Sequence, residues 1–238
     1  MVQFAKFYSA EKNQFLKILY EFYPDWKWFD NYKNTEINKI SVLKLAKSQG
    51  LDIPKTYIVN SKNQLLDIQK KEKKLITKPI YEGLGFYDEK GVYITHTQKV
   101  DIPKIENFSP SLFQEEIEKE FEIRIFYLDK CMYSMAIFSG KNKKTKVDFR
   151  NYDFFNPNRY VPFILPGSIK AKLINLMEKL NLCSGSIDMI KSTSGKYVFL
   201  EINPVGQFGM VSHPCNFHLE KKVAEFLIQK MKYEKKIS

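Results

Sequence analysis

Apolar residues recur at helical spacing through residues 10–23, where Phe15, Leu16, Leu19 and Phe22 share one face and Pro24 ends the run. Residues 38–49 repeat the pattern with Ile40, Leu43 and Ala46, and Gly50 is placed to cap that helix. Beyond Leu51-Asp52-Ile53-Pro54, residues 55–59 read as a strand, 61–71 as a short helix and 74–79 as a buried strand. Residues 81–100 carry hairpin signals around the glycine-containing loop Glu82-Gly83-Leu84-Gly85. Residues 112–117 read as a strand, and 121–128 with 132–139 as an antiparallel pair turning at Asp129-Lys130. A polar stretch at 140–146 precedes a helix at 168–180, a hairpin of 186–191 with 197–202 turning at Ser194-Gly195, and a last helix at 219–231. This order predicts an α+β fold with mainly antiparallel sheets. A boundary between two subdomains is expected near residues 114–119.

Composition narrows the class. The chain has 238 residues, 44% of them hydrophobic, with 19 Phe and 14 Tyr, which is ample for a packed core. Its net charge of +11 attracts polyanions without choosing among them. The densest lysine runs, at 70–74 and 141–146, read as solvated faces. Cys131, Cys183 and Cys215 form no CxxC pair and suggest a reduced, cytoplasmic compartment. No signal-peptide pattern and no membrane-length apolar run is present. His96, His213 and His218 match no zinc spacing.

Three clusters carry chemistry. In the first, Glu201 and Asn203 stand two apart near a strand end and so share a face, and Asp188 on the partner strand can meet them. Two carboxylates and an amide oxygen make a hard-oxygen site suited to Mg²⁺ bridging phosphates. The second is Lys78 inside a short apolar strand, followed by the glycine-containing loop, an arrangement that invites an anion but is no Walker A sequence. The third is Glu115-Glu116-Ile117-Glu118-Lys119 followed by Glu122-Ile123-Arg124; taken alone, it reads equally as a charged turn with surface ion pairs.

Taken in order, the strand lysine, glycine loop, Gln114-Glu115-Glu116-Ile117 hinge, Glu122-Ile123-Arg124 and the Asp188…Glu201-Ile202-Asn203 pair resemble the ATP-grasp superfamily. The segments FQEEIEKEFEIRIFYL, KVDFRNYDFFNPNRYVPFILP, GSIDMI and FLEINPVGQFGMVSHPCNFHLEKKVA resemble more narrowly the ATP-grasp peptide maturases of graspetide (microviridin-like) clusters, of the grasp-with-spasm type. The resemblance implies an ATP-grasp fold, two α+β subdomains at 38–118 and 119–238 gripping ATP between them. Residues 1–37, with Trp26 and Trp28, would be a remnant of the family's N-terminal domain. It also implies ATP and Mg²⁺ as cofactors. Lys39 and Lys78 would contact the phosphates. The backbone of Glu116 and Ile117, with Glu115 beside it, would meet the adenine edge, and Lys119 and Glu122 the ribose and base. Asp188, Glu201 and Asn203 would hold Mg²⁺, and Arg124, Arg150 and Arg159 would act on phosphate or acyl-phosphate. The implied reaction joins Asp or Glu side chains of a ribosomal precursor peptide to hydroxyls or amines of the same peptide. A homodimer is allowed for, and membrane or nucleic-acid partners are not expected. The alternatives are an amino-acid ligase acting on a protein or small molecule, and a binding module without turnover.

Overall fold

The computed structural model describes residues 2–23, 28–30, 34, 37–80, 85–88, 91–94, 97–140, 142, 144–151 and 153–234. Residues 82–84 of the predicted glycine loop, Trp26 and His96 lie outside the described residues.

Two antiparallel sheets organise the chain. The first has the order β1-β6-β2-β5: β1 (Thr56–Ser61), β6 (Asn107–Glu115), β2 (Leu75–Lys78) and β5 (Gln98–Lys99). The second has the order β11-β10-β7-β8-β9: β11 (Tyr197–Asn203), β10 (Ser184–Ser192), β7 (Lys119–Leu128), β8 (Cys131–Phe138) and β9 (Arg159–Phe163). A separate hairpin pairs β3 (Gly85–Asp88) with β4 (Gly91–Ile94). The α+β, antiparallel expectation is met.

Local chemistry fixes the element ends. Asn38 caps α2 (Lys39–Ser48) by accepting hydrogen bonds from the N–H groups of Ile40 and Ser41. Ser61 caps α3 (Lys62–Lys71) through Gln64. Gly50 follows α2 at φ +78°, the left-handed position that glycine tolerates best. Asp129 and Lys130 both take positive φ and close the two-residue β7–β8 turn. Two elements differ from the sequence pattern. β9 had no signal because Pro157 and Pro162 interrupt its reading, and Pro162 is accommodated on an edge strand. α5 (Gly209–Cys215), which contains Pro214, has no counterpart among the predicted elements. α1 (Val2–Phe22) is longer than predicted, and Phe7, Phe15 and Phe22 on it face solvent.

Packing around the second sheet explains where a site can form. β7 is buried on both faces. Its odd-numbered residues Ile123, Ile125 and Tyr127 join Ile187, Met189 and Phe199 beneath α2 and α4 (Gly167–Lys179). On the other face, Phe126 and Leu128 lie under α5 and α6 (Leu219–Glu234), with Phe149 in the same cluster. Glu122 and Arg124, on that same even-numbered face, extend past the helices. One face is therefore apolar core at one end and polar at the other. α3 covers one face of the first sheet through Leu65, Ile68, Leu75 and Phe113. α2 precedes the first sheet in sequence but packs on the second.

Candidate active site

The polar end of the second sheet faces the uncovered side of the first across a cleft. Ile76, Lys78 and Gln114 line it from one sheet, and Glu122, Asp188 and Glu201 from the other. Asp188 lies directly between Arg124 on β7 and Glu201 on β11 in strand register. A bulge follows, in which Met189 pairs with Phe199 and Leu200 is the extra residue. The bulge turns both Leu200 and Glu201 into the cleft. Asn203, two residues on, shares the face of Glu201 and makes no side-chain hydrogen bond among the described residues.

Cations surround the two carboxylates. Arg124 Nη1 donates to Asp188 Oδ2 at 2.5 Å, both side chains being buried. Lys78 Nζ donates to Glu201 Oε2 at 3.4 Å, Lys39 Nζ lies 3.9 Å from the same oxygen, and Arg150 Nη1 lies 3.8 Å from Oε1. Burial pushes both carboxyls toward neutrality, but with opposite outcomes. Burial raises the pKa of Asp188, and Glu201 reinforces the rise against the pull of Arg124. In Glu201 the burial effect is outweighed by Lys78, Lys39 and Arg150, which hold its pKa below the ordinary value.

Asp188 Oδ1 and Ser186 Oγ are buried oxygens with no hydrogen-bond partner among the described residues. Orphaned buried oxygens are costly, and a hard cation relieves the cost. Asp188, Glu201 and Asn203 therefore fit Mg²⁺. Among the described residues there is no cluster of three or more His, Cys, Asp or Glu, and a set of two carboxylates and one amide accords with that.

The other predicted residues fall into place to different degrees. Glu115 Oε1 accepts from the Lys55 N–H at 2.9 Å, the Glu116 N–H donates to the Lys74 carbonyl, and Glu115 and Ile117 line the cleft. The Glu116 carbonyl and Ile117 N–H have no backbone partner among the described residues. Lys119 pairs with Glu122, which also accepts from Ser139 Oγ at 2.6 Å; burial raises the Glu122 pKa despite both contacts. Arg159 is not brought to this cluster. Its guanidinium stacks 4.3 Å from the centroid of Phe138, on the edge strand.

Sequence reasoning missed Asp148. It is buried and accepts from Arg150 Nε at 2.9 Å, Arg150 Nη2 at 2.8 Å and the Thr97 N–H at 3.2 Å. The fork fixes the Arg150 guanidinium in place, and the Thr97 contact ties the loop to the first sheet. The Asp148-x-Arg150 spacing was the available signal. Burial raises the Asp148 pKa, but Arg150 outweighs it and holds it at about 2. A lowered folded pKa contributes stability above the ordinary value of 3.8, lost as pH falls through about 2. Asp148→Asn is expected to cost about 2 kcal/mol at pH 7 and much less at pH 2. Urea unfolding at both pH values reads this; equal losses would remove the ion pair as the cause.

Two antiparallel sheets closing on a cleft, with an acidic pair ringed by lysines and arginines at its base, give the chain an ATP-grasp fold. Solved structures agree. The chain is similar to a RiPP-associated ATP-grasp ligase of Chryseobacterium gregarium solved with ADP and a leader and core peptide (26% identity, TM-score 0.79, 95% of this chain and 71% of that one). It is similar to macrocyclase MdnC of Microcystis aeruginosa MRC, bound with precursor peptide MdnA (27%, TM-score 0.72, 84% and 63%). A third likeness, at fold level, is to ATP-grasp ligase PsnB complexed with a phosphomimetic variant of its minimal precursor, Mg and ADP (17%, TM-score 0.70, 85% and 61%). The chain thus spans 71%, 63% and 61% of these three. No protein-family model and no curated protein matches its sequence. The sequence resemblance to ATP-grasp peptide maturases holds in three dimensions. Among the described residues no helix is long and apolar enough to cross a membrane.

Proposed function

We propose that the chain is an ATP-dependent ligase that activates Asp or Glu side chains of a ribosomal precursor peptide as acyl-phosphates. Ester or amide bonds to hydroxyls or amines of the same peptide then form, with release of ADP and phosphate. The observation that carries this reading is the Asp188–Glu201 pair, with its orphaned oxygen and ring of cations, at the base of an inter-sheet cleft. The boundary near residues 114–119 coincides with the passage from β6 to β7, which supports subdomains dividing there, with α2 of the 38–118 segment packed on the second sheet.

In this reading the Glu116 carbonyl and Ile117 N–H meet the adenine edge, while Ile76, Ile190 and Leu200 enclose the base. Glu122, held by Lys119, faces the ribose. Lys39 and Lys78 grip the phosphates, and Arg150, aimed by Asp148, neutralises charge on the transferring phosphoryl group. Asp188, Glu201 and Asn203 would hold Mg²⁺, which would supply positive charge against the phosphates. Arg124 acts by positioning Asp188. The carboxylate is a poor electrophile until phosphorylated; attack on its acyl carbon then expels phosphate. A precursor rich in acidic residues suits the +11 charge, and free thiols suit the cytoplasm. A homodimer would cover the apolar side chains that α1 exposes.

Co-expression with any peptide gene that neighbours its own, followed by intact mass, tests the reading. The peptide should lose the mass of one water per bond formed, and an unchanged mass with unspent ATP would refute it. Turnover of free glutamate in place of peptide would instead favour an amino-acid ligase. Lys78→Ala should weaken MgATP binding roughly 10- to 100-fold by calorimetry, the worth of a charge-assisted hydrogen bond. Unchanged affinity would remove Lys78 from the nucleotide site.

A further inference from the structure

We infer that the outer edge of β1, with the lysine-rimmed groove beside it, is a docking track for an acidic, extended peptide segment that adds to the first sheet as a strand. The inference deepens the proposed function by giving the peptide a place to bind.

The first observation is an open sheet edge. β1 ends the order β1-β6-β2-β5, and its other side pairs with nothing among the described residues. The Glu115 N–H donates to the Lys55 carbonyl, so Lys55 and Glu115 are a hydrogen-bonded pair. Antiparallel alternation then directs Tyr57 and Val59 toward β6 and turns the N–H and C=O groups of Thr56 and Ile58 outward. Asn60 closes the open stretch, because its N–H donates to Gln64 Oε1. The other edges of the two large sheets are less receptive. β5 has two residues, β9 contains Pro162, and the β11 edge is engaged where the Phe199 N–H donates to the Asp52 carbonyl.

The second observation is the groove along that edge. Ile40 and Leu43 of α2 form its floor with Leu51 and Ile53. Ile58, on the same strand face as Thr56, is 49% exposed there. Lys44 and Lys47, three apart on α2 and both exposed, stand at the rim and form no ion pair among the described residues. Lys55 also borders the groove but is committed to Glu72, and Asp52 contributes one acid. The uncommitted charge is therefore positive, and the floor is apolar.

Main-chain groups at an edge supply affinity for any extended chain; the floor and rim select apolar and acidic side chains. Pro54 lines both this groove and the ATP cleft, so a peptide anchored here has a short path to Glu201.

The test uses a fluorescein-labelled synthetic peptide of alternating valine and glutamate, titrated with the full chain by fluorescence anisotropy. Its controls are the same peptide with lysine for glutamate, and a version N-methylated at alternate residues. The acidic probe should bind at least about tenfold more tightly than either control, and Lys44→Glu with Lys47→Glu should weaken it by a similar factor. Unchanged MgATP binding and circular dichroism would show that the double variant is folded. Equal binding of the N-methylated probe, or indifference to the double variant, would overturn the assignment, as would a dimer in sedimentation whose β1 edges are buried on each other. Failure of the ligase reading looks different: the probe still binds, and no peptide elicits ADP release.

Discussion

Glu201→Gln is expected to reduce peptide-dependent ADP release by roughly 10³-fold while leaving the fold intact, a loss on the scale of removing a preorganised electrostatic group. The substitution keeps the shape of the side chain and removes only its charge. β11 stays in register with β10 through Ile187–Ile202 and Ser186–Asn203, so circular dichroism should not change. What changes is the balance of charge at the base of the cleft. Lys39, Lys78 and Arg150 all lean on this carboxylate. Without it, the proposed Mg²⁺ site lacks one carboxylate, and the lysines lose the group that would compete with phosphate for them. Two measurements should therefore move in opposite directions. The Mg²⁺ concentration needed for half-maximal nucleotide turnover should rise, and ATP affinity in the presence of EDTA should hold or improve. A general collapse of the site would lower both affinities. Near-normal ADP release from the variant would end the case for Glu201 as a metal ligand.

The site was more legible than the framework that shapes it, for physical reasons. Charged residues inside apolar strands are conspicuous because burial makes them costly, and this is how Asp188, Glu201 and Lys78 stood out. Alternation placed Glu201 and Asn203 on one face, and the hairpin turn at Ser194-Gly195 brought Asp188 opposite, as the register shows. The bulge at Leu200 was invisible because no glycine or proline marks it. Its effect, turning Leu200 and Glu201 into the same cleft, depends on strand pairing rather than composition. Asp148 was passed over because its partner is only two residues away and Asp-x-Arg reads as a surface turn; its burial comes from Phe149 packing beneath α5 and from Thr97 across the cleft. Arg159 stood out for the same cationic chemistry as Arg150, but the tertiary context gave it the Phe138 ring instead. The placement of α2 on the second sheet had a signal in Val42, Leu43 and Ala46, but a helical stripe shows that a face is buried and not against what.

Arg124→Leu is expected to destabilise the chain by about 3–5 kcal/mol, a large part of the roughly 5–15 kcal/mol that holds a typical domain together. Arg124 is 4% exposed and Asp188 7%, and they are neighbours across adjacent strands. Truncating the guanidinium strands the carboxylate in a buried setting whose other charged neighbour on the sheet, Glu201, repels it. The damage comes from the abandoned charge more than from the lost bond, so it should be reversible by a second change. Arg124→Leu combined with Asp188→Asn removes both charges and should recover most of the stability, giving a coupling energy of several kcal/mol in urea unfolding. Activity separates the roles. The double variant should fold yet release no ADP, because an amide at 188 replaces the carboxylate proposed to hold Mg²⁺. Arg124→Lys should retain an intermediate stability, since a point charge answers Asp188 but cannot hold its orientation. If Arg124→Leu alone unfolds within about 1 kcal/mol of the wild type, the guanidinium is not what offsets the burial of Asp188, and its role shifts from positioning that carboxylate to contacting a ligand through Nε, which has no hydrogen-bond partner among the described residues.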